Sequence, residues 1–147
     1  MKENQANSNP SMRFAFAVSQ HKEFEKKHFG DCDTFQIYEI EKQKITPITK
    51  VKNTFKILEH GTQNKGDLIT ELLKKEKVNV LVSMQFGKNI KIVNEHFIPV
   101  IIHSSKLEEV IKVLGKHIHW IEDEWNNRES NYQLFTINQG IIKANIK

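Results

Sequence analysis

The chain has 147 residues, a formal net charge of +4, and 38% hydrophobic and 27% charged residues. That length and balance fit one globular domain with an ordinary core and exclude a disordered or fibrous chain. No apolar run reaches the ~18 residues that span a bilayer, and the Lys and Arg residues are spread along the chain, so the mild basicity reads as solvated surface and nucleic acid is not the expected partner.

Met1–Ser11 is polar, carries no apolar signal core and is expected to be a disordered tail. Phe14–Val18 (FAFAV) is a short apolar run suited to a strand covered on both faces. Ser19–Asp33 reads as a loop. Thr34–Ile40 alternates as a strand with one wetter face. Ile45–Val51 is a third strand, and Pro47 places it at the sheet edge because proline has no N–H for the ladder. Asn53–Asn64 is a loop with His60 and Gly61.

Gly66–Lys77 shows helical spacing at Leu68, Ile69, Leu72 and Leu73. Val78–Val82 is a buried strand, Asn89–His96 a short helix and Ile98–Ile102 another buried strand. Ser104 or Ser105 is the expected cap of the next helix, with Glu108 as the capping-box acid. Its apolar stripe runs from Leu107 through Leu114 and Ile121 to Trp125, so one helix is expected to about Asn126. Tyr132–Ile137 and Ile141–Ile146 flank Asn138-Gln139-Gly140 and read as a β-hairpin with a three-residue turn.

The order β-β-β-α-β-α-β-α implies a mixed five-stranded sheet with helices on both faces. The first strand is central, the two early strands lie on one side and the two late ones on the other. Right-handed crossovers join the parallel strands. The C-terminal helix and hairpin are expected as an extension.

In an open α/β sheet, ligands bind beyond the carboxyl ends of the strands. That rule gathers Ser19–Asp33 (His21, His28, Cys32), Ser83–Gly87 and His103–Ser105. The His60 loop joins them if it folds over the same edge. Imidazole and thiolate suit iron and related metals better than magnesium or calcium. The metal-ligand candidates are His28, Cys32 and His60. Lys65 and Gly66, at a helix start, are candidates for holding an anion. Gly30 reads as a backbone position that needs φ > 0, and Phe29 as core. His117 and His119 read as surface residues on the last helix, and His96 as a helix-end residue that complements the dipole. The only cysteine, Cys32, cannot form an internal disulfide, which suits a reducing, cytoplasmic setting.

His28-Phe29-Gly30, then Asp31-Cys32-Asp33 and the strand Thr34-Phe35-Gln36-Ile37-Tyr38, resembles the signature of the dinitrogenase iron–molybdenum cofactor biosynthesis family. Gly66 opening a helix, the strand VNVLV, and Phe86-Gly87 opening the next helix fit the same pattern. The resemblance covers about Arg13 to Gly115. It implies a ribonuclease-H-like α/β fold and a non-enzymatic role holding an iron–molybdenum cofactor or its iron–sulfur precursor. Cofactor-assembly or nitrogenase-type proteins are then the expected partners. His28, Gly30, Cys32, His60, Lys65, Gly66, Phe86 and Gly87 become the expected cofactor-binding set. The chain then divides into a tail (1–11), the family-like domain (12–116) and a C-terminal extension (117–147), through which a homodimer could form. Where the family has small residues before Phe-Gly, this chain has Met84 and Gln85, which are expected to narrow the crevice or put a thioether and an amide in it. Two other functions compete. A metal-dependent nuclease needs clustered carboxylates, and the central strand FAFAV has none. A regulatory or interaction module of the same fold would carry no metal.

Overall fold

The computed structural model describes residues 11–41, 44–58 and 65–145. All of the expected tail except Ser11, together with His60 and Gly61, lies outside them. The described residues form seven strands and four helices. The strands are β1 (Met12–Val18), β2 (Thr34–Glu41), β3 (Lys44–Lys52), β4 (Val80–Ser83), β5 (Ile98–Ile102), β6 (Leu134–Asn138) and β7 (Ile141–Asn145). The helices are α1 (Lys65–Lys75), α2 (Ile90–His96), α3 (Leu107–Lys116) and α4 (Ile118–Asn127).

All seven strands join one sheet in the order β3-β2-β1-β4-β5-β6-β7. β1, β4, β5 and β6 run parallel, while β2, β3 and β7 pair antiparallel to their neighbours. The early strands lie on one side of β1 and the late ones on the other, as the sequence pattern indicates. The strand count differs: the sheet has seven strands rather than five, so β1 is third from one edge and β4 takes the middle. The hairpin is not an appendage, because β6 pairs with β5 and gives its backbone groups partners. Pro47 lies on the edge strand β3, opposite Tyr38, beside a register shift at Ile37/Tyr38.

Alternation along β1 separates two cores. Phe14 and Phe16 face one side with Val80, Val82, Val100 and Ile102, under Val110, Ile111 and Leu114 of α3 and Ile118 and Ile121 of α4. Ala15 and Ala17 face the other with Leu81, Phe35 and Ile37, under Ile69 and Leu73 of α1 and Val93 of α2. Each fully buried Phe contributes roughly 1.5–3 kcal/mol. The α1 and α2 connections and the α3–α4 connection all step the same way across the sheet but over opposite faces. They therefore have opposite hands, and the right-hand rule can hold for only one set. The α3–α4 return is two helices long, which relaxes the tight strand–helix packing behind that rule.

Three local expectations change. The long C-terminal helix breaks at His117 (φ −116°, ψ 28°), two residues after Gly115, so that α4 can turn back across the same core. The cap of α3 is Lys106, without a side-chain cap bond. Ser104 Oγ instead accepts the Lys106 N–H at 3.1 Å and donates to Glu109 at 3.0 Å. In the hairpin Asn138 pairs with Ile141, so the turn is two residues long, Gln139 and Gly140, both at positive φ (52° and 76°). That is the geometry of a type I′ turn, whose twist matches the flanking strands.

Candidate functional site

The β1–β2 connection builds the site. It crosses the carboxyl ends of the parallel strands and is pinned at two places. Phe24 donates its N–H to Ser105 O at 3.0 Å and buries its ring in the α3–α4 core, 6.2 Å from Phe16. Phe29 donates its N–H to Gln85 O at 2.9 Å, in a parallel bridge between His28 and Gln85. A short 3-10 turn, Phe29–Asp31, follows.

These bonds bring the two short motifs together. The ring of Phe29 packs against that of Phe86, with centroids 5.6 Å apart. The imidazole of His28 lies against Gly87, where a Cβ would stand 2.8 Å from His28 Cε1. Gly87 also has φ 65°, so this position excludes side chains twice, by backbone conformation and by the ring above it. Beside them opens a hollow of about 320 Å³ lined by His28, Phe29, Gly30, Asp31, Lys65, Phe86, Lys88 and Asn89. Its floor is aromatic and its rim polar.

Lys65 does not behave as a simple anion holder. Its side chain is 4% exposed, and Nζ donates to Asp31 Oδ1 at 2.6 Å, Leu58 O at 2.8 Å and Lys56 O at 3.4 Å. A buried ammonium needs such partners. Gly30 makes room for it. Gly30 is not among the positive-φ residues, contrary to the sequence reading, but a Cβ there would stand 3.1 Å from Lys65 Cε. Gly66 serves a second close approach, since its Cβ would stand 3.1 Å from Asn89 Cγ. Asn53, buried, fastens the segment after β3 to the same loop by donating Nδ2 to Gly30 O and Cys32 O, both at 2.9 Å. Lys56 pairs with Asp33 and, with the Gln20 N–H, holds that carboxyl below its usual range.

Cys32 points elsewhere. It is buried, its thiol donates to Thr34 O at 3.3 Å, and it does not line the hollow. Burial, with Asp33 nearby, pushes its pKa up to about 12. It shares with His28 the wall of a second crevice with no room for a water molecule. At pH 8 the thiol is therefore expected to resist iodoacetamide in the native protein and to react within minutes in urea, as read by mass spectrometry. Labelling at the free-thiol rate without denaturant would refute its burial.

The strap from Lys22 to Lys27 splits the expected histidine cluster. His103 lies in another hollow, of about 640 Å³, between α3 and the hairpin turn. His21 is exposed away from both, and His60 lies outside the described residues. Met84 packs towards the α3–α4 core, and neither it nor Gln85 lines the hollow, so the thioether and amide expected there are absent from its wall. Among the described residues, no group of three His, Cys, Asp or Glu side chains could hold a metal ion. The sequence marks Asp31 only as a neighbour of Cys32 and does not mark Asn53, Lys88 or Asn89. Lys88 and Asn89 directly follow Phe86-Gly87 and could have been found by extending that motif. Nothing local marks Asn53.

Residues 10–117 match the family described as dinitrogenase iron-molybdenum cofactor. The chain belongs to this family. No curated protein sequence matches it. The matched span takes in β1 to α3 and every described residue that lines the 320 Å³ hollow, while α4 and the β6–β7 hairpin lie beyond it. Family membership ties the chain to the nitrogenase cofactor system. Among the described residues, no helix is long and apolar enough to cross a membrane.

Proposed function

We propose that this protein is a non-catalytic carrier that holds an iron–molybdenum cofactor, or an iron–sulfur precursor of it, in the hollow beside His28. The observation that supports this most is the seating of the His28 imidazole on Gly87, at the rim of a hollow built by both family motifs. One imidazole and an aromatic floor suit a guest that keeps most of its own ligands. Such a guest is bound well enough to carry and weakly enough to release. Cofactor-assembly or nitrogenase-type proteins would supply and receive it, and a lone buried thiol suits the reducing cytoplasm. We read the first five strands as the ribonuclease-H-like motif that the family implies. The antiparallel β3-β2-β1 followed by parallel β4 and β5 supports that reading.

A second reading is an interaction module of the same fold without metal cargo, for example a homodimer formed through the C-terminal extension. It draws on β7, an edge strand whose Ile141 is 58% exposed. Anaerobic titration of the metal-free protein with isolated iron–molybdenum cofactor, followed by gel filtration, separates the two. The carrier reading expects colour to elute with the protein. His28→Ala should weaken the complex at least tenfold, about 1.4 kcal/mol, while His103→Ala leaves it intact. A colourless protein that elutes as a dimer would favour the module, and full affinity in His28→Ala would remove this histidine as the anchor.

A further inference from the structure

Among the described residues, the hollow's wall carries two ammonium groups, and their surroundings differ. Lys65 is buried and matched by the Asp31 carboxylate and two carbonyls. Its charge is neutralised within the protein, and its geometry ties together the 3-10 turn, the 56–58 segment and the start of α1. Lys88 sits in the Gly87–Asn89 turn, is exposed, and has no ion-pair or hydrogen-bond partner among the described residues. Its position is fixed from behind, because Gly87 carries the His28 ring and Asn89 packs on Gly66.

We infer that Lys88 is the residue that selects an anionic guest at the hollow, and that Lys65 is a positioning residue that shapes the wall. The inference rests on the carrier reading and adds the charge class of the guest and the group that senses it. An unpaired ammonium next to an aromatic floor attracts a compact dianion with a soft, weakly hydrated surface, such as a metal–sulfur anion. It does so without coordinating the metal. Attraction to an exposed cation is screened by salt, so this recognition must weaken as ionic strength rises.

Tetrathiomolybdate is a suitable probe. It is a coloured dianion whose metal is already four-coordinate, so its binding reports charge recognition separately from ligation by His28. Titrated into the full chain at low salt, it should bind saturably and shift the His28 ring resonances in the NMR spectrum. Lys88→Gln should lower the affinity at least tenfold and flatten its salt dependence. Lys91→Gln, on the neighbouring helix and off the hollow, should change it less than twofold. In the Asp31→Leu/Lys65→Met double variant the salt dependence should persist, since the charge that senses the guest remains. The inference is overturned if the wild type shows no saturable binding, if Lys88→Gln keeps affinity and salt dependence, or if the double variant alone loses that dependence. Were it overturned while isolated iron–molybdenum cofactor still bound through His28, the carrier reading would stand without it.

Discussion

Gly87→Val is expected to destabilise the protein by roughly 2–5 kcal/mol and to abolish binding at the hollow. Two independent terms add. A residue with a Cβ held at φ 65° costs about 1–2 kcal/mol, more for a β-branched one. Forcing a side chain into an occupied space costs typically about 1–3 kcal/mol, and a Cβ here would meet three ring atoms of His28 at 2.8–3.2 Å. Urea unfolding measures the sum as a lowered midpoint. Gly87→Asn divides it, because asparagine tolerates left-handed backbone but still collides with the ring. If the ring contact matters for function, Gly87→Asn should recover part of the stability and little of the binding. A Gly87→Val protein with wild-type stability would contradict the placement of His28.

Lys65→Met is expected to cost about 3 kcal/mol. Removing one partner of a buried ion pair typically costs roughly 3–5 kcal/mol. The lower end applies because the Asp31 side chain is 22% exposed and water can partly solvate it. The same substitution also strips Leu58 O and Lys56 O of their shared donor. Adding Asp31→Leu should restore about half or more of the loss, since an apolar pair removes the carboxylate that has lost its lysine. The comparison is a double-mutant cycle by urea denaturation. Strictly additive single effects would show that the two side chains are not coupled.

The sequence carried the strand order and the meeting of the two motifs because both depend on local signals. FAFAV and VNVLV are apolar runs with one reading in an α/β chain, Pro47 can sit only at an edge, and Phe-Gly tells where the chain must turn. What it did not carry depends on distant partners. Residues 134–145 alternate equally well as a free hairpin and as two further strands, and only the open edge of β5 decides between them. The stripe from Leu107 to Trp125 stays in phase across His117, so periodicity alone shows one helix where the backbone makes two. Gly30 looked like a turn glycine, although its bareness accommodates a lysine 35 positions later in the chain. Cys32 looked like a ligand by its neighbours. It is instead buried in the α1–α2 core and held by Asn53, which no spacing rule connects to it.

The strap that joins Phe24 to Ser105 and Phe29 to Gln85 acts as a dividing wall at one end of the sheet. On the carrier reading, a visitor exchanging cargo at His28 would approach over the α1–α2 side, where the hollow opens. The hollow is thus insulated from β6 and β7 at the far margin, whose outer surface could change to suit a different docking companion without altering the wall beside His28.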